Sequence, residues 1–240
     1  KLFEAQRPFG QASFILSPRC SPWDMASSSL RAVTLFSVAR LTASVCPPAD
    51  FSTVQNFDLN SYVAGRWYIQ EQMPTNYLPE SQNYCVYAEY TLGSHLYGYE
   101  VSVRNHAEDV ADPHAAHDSG NTLCAKVVDE ASGKLEVAPC FLPAFLAGPY
   151  WVVDYDESAG YALISGGAPT HETAGGCSTG TGTNNAGFWI FTRQQTRNET
   201  LVTEVRDIAK AKGFDLSVLN VVQQPAGCDA TVGAELVTVV

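Results

Sequence analysis

The sequence lacks the features that mark several common classes of protein. No apolar run approaches the roughly 20 residues that a membrane-spanning helix requires. None of the seven cysteines forms a Cys-x-x-Cys pair, so neither a zinc site nor a thioredoxin-like redox centre is predicted. The glycine-rich stretches at 175–176 and 180–182 lack the Gly-Lys-Ser/Thr ending of a phosphate-binding loop. A nucleotide site is therefore not predicted either.

Charged residues are also scarce, at 16% of the 240 residues, and acidic ones dominate. Residues 1–45 carry five basic and two acidic side chains, a net charge of +3, so the rest of the chain carries −14. A surface of that charge repels phosphate backbones and anionic lipid headgroups. This argues against a nucleic-acid partner and against electrostatic docking to a membrane. The hydrophobic fraction of 45% predicts a folded chain.

Residues 1–45 are predicted to be an N-terminal extension and targeting segment. From Met25 this stretch is rich in serine, contains arginines but no acid, and has a short apolar centre at 32–39. The apolar centre favours a secretory signal, whereas Arg40 and the serines favour an organelle transit peptide. A short amphipathic N-terminal helix is the third alternative. We expect the folded domain to comprise residues 46–240.

Short segments with a period of two dominate the chain after residue 46, and this alternation is typical of half-buried strands. Polar or glycine-rich segments at 105–121 and 166–187 are predicted loops. Eight strands are predicted, enough to close a barrel around one small ligand. They are a strand carrying Trp67, Ile69 and Glu71, and the segments 86–91, 99–104, 123–128, 134–138, 150–155, 160–165 and 188–192.

One helix is predicted near the C-terminus. Asn198 is a suitable N-cap, Leu201 and Val205 fall near one face, and Gly213 ends the helix. A short final strand at 216–222 is expected to follow. Asn198 also begins an Asn-Glu-Thr glycosylation pattern, so it is a candidate glycosylation site if the chain enters a secretory pathway. The helix cap explains this asparagine without a glycan.

Four segments resemble the lipocalin family. NFDLNSYVAGRWYIQEQM at 56–73 resembles the first lipocalin signature, especially that of apolipoprotein D and the bacterial outer-membrane lipocalins. CVYAEYTL at 85–92, PYWVVDYDESAGYALIS at 149–165 and FWIFTR at 188–193 continue the likeness in the family's order. The resemblance implies an all-β fold, an eight-stranded antiparallel up-and-down barrel with one C-terminal α-helix packed outside.

The resemblance also implies which residues close one end of the barrel. Trp67, two residues after the backbone bend at Gly65, would plug this end. The guanidinium of Arg193 would lie across the indole and exclude water from the barrel base. Asp154 and Tyr155, which match the second signature of the family, are expected at the same end.

Seven cysteines in a chain of this size indicate disulfides and an oxidising compartment, with reduced buried thiols as the alternative. The resemblance to apolipoprotein D implies the bridges Cys46–Cys177 and Cys85–Cys228. Cys124 and Cys140 flank a predicted hairpin and are expected to form a third bridge outside that pattern. Cys20 is left over, in the segment that we expect to be removed.

We expect the barrel to enclose an apolar cavity, open at the loop end, that binds a small hydrophobic molecule through burial of apolar area. The predicted function is transport, storage or protection of a lipid, fatty acid, sterol, retinoid or carotenoid, without a cofactor. Peripheral association with a membrane is compatible with this role. The candidate lining residues are Ile69, Glu71, Val86, Ala88, Tyr90, Tyr99, Val101, Val103, Trp151 and Val153.

Two other functions stay open. Some plastid xanthophyll de-epoxidases have a lipocalin-like core, and Glu71 is the inward carboxylate that would transfer protons in such an enzyme. A second carboxylate facing it cannot be placed, so an enzyme is not the main prediction. The other alternative is an interaction subunit with a filled barrel, whose contact surfaces would be the loops 105–121 and 166–187. The expected location is secreted or lumenal, with the thylakoid lumen as the plastid alternative.

A metal site is not predicted. His114 and His117, which lie between Asp112 and Asp118, would suit a metal only on a helix, and Pro113 in polar surroundings predicts a loop instead. The other histidines are predicted to lie at the surface without partners. They are His95, His106 and His171.

Overall fold

The structure is a computed structural model that describes residues 45–113 and 115–228. Residues 1–44 of the predicted targeting segment, Cys20 among them, lie outside the described residues, as does His114. Two helices are described, α1 (Leu59–Val63) before the first strand and α2 (Glu199–Ala211) near the end. The strands, in chain order, are β1 (Arg66–Gln72), β2 (Tyr84–Leu92), β3 (Val101–Glu108), β4 (Ala116–Asp118), β5 (Leu123–Asp129), β6 (Lys134–Pro139), β7 (Gly148–Asp156), β8 (Tyr161–Ser165), β9 (His171–Thr173), β10 (Gly176–Ser178), β11 (Phe188–Thr192) and β12 (Asn220–Val221).

Eight of these strands close into an antiparallel barrel. β1, β2, β3, β5, β6, β7, β8 and β11 pair in that order, and β11 pairs back onto β1, with Tyr68 opposite Thr192. β4 adds to β3, β12 lies beside β1, and β9 and β10 form a separate two-stranded sheet. The predicted eight-stranded barrel is confirmed.

The helix α2 packs on the outside of the barrel, as predicted. The Asn198 side chain caps it by accepting hydrogen bonds from the backbone N–H groups of Thr200 and Leu201, at 3.1 and 3.3 Å. Its buried residues Val205 and Ala209 pack with outward-facing residues of β7, β8 and β11. Within the described ranges, no helix is long and apolar enough to cross a bilayer.

Several strands are therefore buried on both faces. All five residues of β8 are buried, because its inner face contributes to the barrel core and its outer face contacts α2. A strand that is buried on both faces carries apolar residues at successive positions, as at 161–164. Alternation of apolar and polar residues therefore cannot show which of them point into the barrel.

The predicted loop at 105–121 is partly strand. β3 continues to Glu108, and β4 pairs with it in antiparallel register. Polar side chains of this stretch form hydrogen bonds with one another. His106 lies 3.3 Å from both Asp118 and Glu108. Polar composition predicted a loop here, but buried polar groups with partners are compatible with a strand.

Two other boundaries differ from the prediction. The glycine-rich loop at 166–187 contains β9 and β10. The expected strand at 216–222 begins instead as a 3-10 turn at Leu216–Val218, which precedes β12. The Asp215 side chain accepts a hydrogen bond from the Ser217 N–H at 2.8 Å and so stabilises the turn.

Three disulfides cross-link the described domain, with the pairings expected from the sequence. Cys46–Cys177 joins the start of the domain to β10, Cys85–Cys228 joins β2 to the C-terminal segment, and Cys124–Cys140 joins β5 to the residue after β6. Three disulfides are consistent with an oxidising compartment.

We predict that the effect of disulfide removal on stability follows loop length. The paired cysteines are 143 residues apart in Cys85–Cys228 and 16 apart in Cys124–Cys140. Replacing both cysteines of a pair by alanine is expected to lower the free energy of unfolding by about 4–5 kcal/mol for the first pair and about 3 kcal/mol for the second. Urea denaturation of the two double variants measures both values. An equal or reversed order would contradict the chain-entropy explanation.

Candidate ligand-binding site

The closed end of the barrel is built around Trp67. α1 lies across this end, and the Asp58 side chain caps it by accepting hydrogen bonds from the N–H groups of Asn60 and Ser61. Trp67 is fully buried, and its indole N–H donates to the Tyr62 carbonyl oxygen at 2.9 Å. The preceding bend requires Gly65, whose φ of +80° is unfavourable for other residues.

Arg193 covers the indole at this end. Its Cζ lies 3.6 Å from the centre of the Trp67 ring. One terminal nitrogen donates to the carbonyl oxygens of Ser61 and Tyr62, at 2.8 and 3.1 Å, and pairs with Glu157 at 2.9 Å. The guanidinium therefore combines a cation–π contact with charge-assisted hydrogen bonds to α1 and to the β7–β8 turn.

The two residues matched to the second signature separate. The Tyr155 ring packs against Trp67, with 6.1 Å between ring centroids. Asp154 accepts a hydrogen bond from the Tyr161 hydroxyl at 2.9 Å and lies 3.5 Å from the Lys212 ammonium, just after α2. Tyr155 thus belongs to the closed end, whereas Asp154 contacts residues on the outer surface.

Six of the ten predicted lining residues belong to the barrel interior. They pack with Trp67 in one continuous cluster and are at most 9% exposed. These residues are Ile69, Val86, Ala88, Tyr90, Val101 and Val103.

Glu71, predicted to face the cavity, lies on the outer surface of β1 instead. Its carboxylate pairs with Arg206 of α2 and, at 2.7 Å, with Arg197. The pairing register between β1 and β11 shifts between Ile69 and Glu71, so the alternation that holds for Trp67 and Ile69 is broken there. The prediction assumed unbroken alternation and is wrong at this position.

The predicted inner face of β7 is also wrong. Trp151 lies outside, where its ring stacks on Phe51 with 6.5 Å between ring centroids. The Lys134 Nζ lies over the Trp151 ring, 5.0 Å from its centroid. Val153 packs in the outer cluster with α2. Their neighbours Tyr150 and Val152 face inward. Because β7 is apolar on both faces, the sequence did not show which of its residues point into the barrel.

Tyr99 likewise lies outside the interior cluster. It packs against Cys124 and Ala138 and donates its hydroxyl hydrogen bond to the Leu142 carbonyl oxygen at 3.0 Å. It precedes β3 in a bend, where the strand alternation has not begun. Its role is to pack against the Cys124–Cys140 disulfide.

Three tyrosine hydroxyls meet in the interior near the closed end. The Tyr150 hydroxyl oxygen lies 2.5 Å from that of Tyr62 and 2.7 Å from that of Tyr90. Burial raises the pKa of Tyr90 to about 12 and the pKa values of Tyr62 and Tyr150 well above the ordinary tyrosine value. All three phenols are therefore neutral at physiological pH. Sequence reasoning identified Tyr90 but missed Tyr62, which lies in α1, and Tyr150, because it placed Trp151 and Val153 of β7 inside.

Comparison with protein-family models and with curated proteins gives no match. Among solved structures, the major allergen Per a 4 from cockroaches is similar, with a TM-score of 0.50 and 17% identity over 75% of this chain and 95% of that one. Insecticyanin from the tobacco hornworm Manduca sexta is 16% identical over 77% and 89% of the two chains, with a TM-score of 0.49. Such low identities concern the fold alone.

The fold is that of a lipocalin. Its connections alternate between the two ends of the barrel, so the segments 73–83, 109–122, 140–147 and 166–187 lie at the open end, opposite Trp67. We call this end the mouth. Inward-facing residues near the mouth remain partly accessible, namely Leu123, Val137 and Trp189. Interior residues near the closed end are also partly accessible, as at Val127 and Tyr155.

Two surface depressions lie outside the barrel. One, of about 450 Å³, lies beside Cys177 and Phe214, and the other, of about 370 Å³, lies beside Glu80 and Val221. Neither is lined by the inward-facing residues of the barrel strands.

A polar cluster covers the outer face of β2 and β3. His106, predicted to be a surface residue without partners, is buried between Asp118 and Glu108 and stacks on Tyr87 at 4.6 Å between ring centroids. Arg104 pairs with Asp118 at 2.8 Å. Arg104, His106 and Glu108 lie on one face of β3 because alternate positions of a strand share a face. The sequence did not show this, since the segment 105–121 was predicted to be a loop.

The remaining histidine predictions have mixed outcomes. The His95 Nε2 lies 2.9 Å from the Ser102 hydroxyl, so His95 has a partner, contrary to prediction. His171 is exposed, as expected. His117 lies 3.0 Å from the Asp109 carboxylate. In the described ranges, no three His, Cys, Asp or Glu side chains are placed to hold a metal.

We predict that the free energy of unfolding falls as the pH rises from 10 towards 12. The folded protein keeps Tyr62, Tyr90 and Tyr150 protonated at pH values where the unfolded chain, with tyrosine pKa values of about 10, releases those protons. The stability is therefore fully present below pH 10 and is lost above it. Urea denaturation at several pH values measures the slope, which should be shallower in Tyr150→Phe. A slope unchanged in that variant would show that the three phenols do not titrate as described.

Proposed function

We propose that the protein binds a small hydrophobic molecule inside the barrel and transports, stores or protects it. The observation that supports this most is the continuous apolar inner face, which runs from Trp67 at the closed end to Leu123, Val137 and Trp189 at the mouth. Removal of apolar area from water is the main source of affinity in such a site. The aromatic wall at Trp189 suits a flat or elongated apolar molecule.

A filled barrel that serves as an interaction module is the second candidate. The close packing of Tyr62, Tyr90 and Tyr150 near the closed end favours it, since these side chains occupy part of the interior. The two candidates differ in one measurable property, the binding of an apolar molecule within the barrel.

The geometry gives the enzymatic alternative little support. That alternative depended on Glu71, whose carboxylate is held by Arg197 and Arg206 on the outer surface. The other buried carboxylates of the described chain are Glu108, which contacts His106, and Asp215, which caps a turn. A proton-transfer mechanism would require a carboxylate that contacts the barrel interior, and these three carboxylates have other contacts.

We further propose that the protein is a secreted member of the apolipoprotein D group. The Cys46–Cys177 and Cys85–Cys228 bridges support this, because they join the positions that the resemblance to that group implies. On this proposal residues 1–45 are a targeting segment, residues 46–240 are the lipocalin domain, and Asn198 is a glycosylation site. Mass spectrometry of the secreted protein would establish the mature N-terminus and any glycan.

The mouth carries an apolar patch, which we define as Phe141, Phe145 and Leu146. These side chains are 68%, 85% and 48% exposed, and the segment 140–148 contains no charged residue. At about 150–250 Å² for a whole aromatic side chain, the two phenylalanines present about 300 Å². A stable protein interface needs roughly 800 Å² per partner, so the patch is smaller than such an interface.

We propose that the patch inserts into a zwitterionic lipid surface, which the acidic protein does not repel. This contact would bring the mouth to the source of the ligand.

We predict that all-trans-retinol, used as a probe, binds the wild-type protein saturably with enhanced fluorescence. Val137→Trp fills part of the mouth and should weaken this binding at least about tenfold. The matched control is Val128→Trp, at a position that is 56% exposed near the closed end, and it should bind like the wild type. Thermal unfolding checks that both variants are folded. Saturable binding that Val137→Trp leaves unchanged would place the ligand outside the barrel. If retinol, a carotenoid, haem and a fatty acid all fail to bind, the filled-barrel candidate replaces this proposal.

We predict that the double variant Phe141→Ser, Phe145→Ser binds phosphatidylcholine vesicles about tenfold more weakly, or worse, than the wild type. Vesicle co-sedimentation measures the bound fraction. The control is Leu96→Ser, Tyr97→Ser, which removes two exposed apolar side chains from a closed-end loop. Equal loss in both double variants would show that the patch has no specific role.

A further inference from the structure

The polar groups that we identify in the described barrel interior are uncharged. The three hydroxyls of Tyr62, Tyr90 and Tyr150 form one group near the closed end. Gln72 is fully buried and pairs with Trp189 in the β1–β11 register, which places it on the interior side. Its side-chain NH2 group donates to the Asn83 side-chain oxygen at 2.6 Å, and its side-chain oxygen has no hydrogen-bond partner among the described residues.

Charged residues of β1, β2 and β3 contact partners on the outer face. Arg66 pairs with Glu89 at 2.8 Å, on the same face as Tyr87. Arg104 pairs with Asp118, and Glu71 pairs with Arg206. The positive charge close to the tyrosine group is Arg193, which lies against the Trp67 indole and is already paired with Glu157. An anion in the interior would therefore find no free counter-ion among these residues.

We infer that the ligand of the barrel, on the function proposed above, is a neutral apolar molecule with a hydroxyl or carbonyl oxygen at one end. The hydroxyls of Tyr62, Tyr90 and Tyr150 bind that oxygen, and the barrel discriminates against a carboxylate on the same hydrocarbon skeleton.

The hydrogen-bonding capacity of the tyrosine group supports a ligand of this kind. Three hydroxyls have three protons and six lone pairs, so at least three lone pairs stay open even when every proton is used within the group. A ligand hydroxyl donates to one of them, and a ligand carbonyl accepts when one tyrosine hydroxyl rotates towards it. A carboxylate would lose its hydration without gaining a counter-ion, which is far more costly than burying a hydroxyl.

The test compares all-trans-retinol with all-trans-retinoic acid, which share a skeleton and differ at the polar end. At pH 7.5 the wild-type protein should bind retinol at least about tenfold more tightly than retinoate, because only retinol is uncharged. Lowering the pH towards 5 should strengthen retinoic acid binding, since a carboxylic acid titrates at about pH 4–5, and should leave retinol binding unchanged.

Tyr150→Phe removes the central hydroxyl but keeps the ring, and it should weaken retinol binding about threefold or more, because the ligand oxygen loses a hydrogen-bond partner. Tyr90→Phe provides a second variant with the same expectation, and circular dichroism checks the fold of each. The matched control is Tyr161→Phe, whose hydroxyl contacts Asp154 on the outer surface, and it should bind retinol like the wild type.

The outcomes separate this inference from the proposed function. If retinol and retinoate bind equally well, or if Tyr150→Phe and Tyr90→Phe bind retinol as tightly as the wild type, the inference is overturned and the binding function stands. If neither compound binds, and the wider ligand panel also fails, the proposed function is overturned and this inference with it.

Discussion

The stacking of the Arg193 guanidinium on the Trp67 indole is the contact on which the rest of the barrel depends. Arg193 follows the last barrel strand, and Trp67 lies in the first, so their contact reinforces closure of the barrel. The same guanidinium holds the end of α1 through backbone carbonyl oxygens and pairs with Glu157 in the β7–β8 turn. One side chain therefore joins four elements at the closed end.

Burial on the outside of the barrel is as important as burial inside it. α2 covers the outer faces of β7, β8 and β11, and Glu71 binds the helix to β1 through Arg206. This arrangement requires apolar residues on both faces of the covered strands, and it places charged pairs around their edges. The consequence for function is that ionic groups are used to hold the helix and the outer sheet, while the polar groups identified inside are phenols and an amide.

The sequence predicted the architecture well because several local signals agree. Period-two alternation, turn residues, the Asn198 cap and the order of the four segments resembling lipocalins all indicate one fold, and the cysteine pairings agree with it. The interior positions Val101 and Val103 of β3 were also predictable, since apolar and polar residues alternate over 101–104. Errors occurred where the alternation is interrupted or has no contrast, at Glu71, Tyr99, Trp151 and Val153.

The sequence by itself determined the number of barrel strands and the C-terminal helix through local pattern and residue type, and its resemblance to lipocalins implied the plug at Trp67. The tertiary structure alone decided which face of β7 points inward, that Glu71 turns towards α2, and that Tyr62, Tyr90 and Tyr150 meet. The physical reason is that register shifts and two-sided burial arise from contacts between strands and helix that are distant in sequence. A period read along one strand does not contain that information.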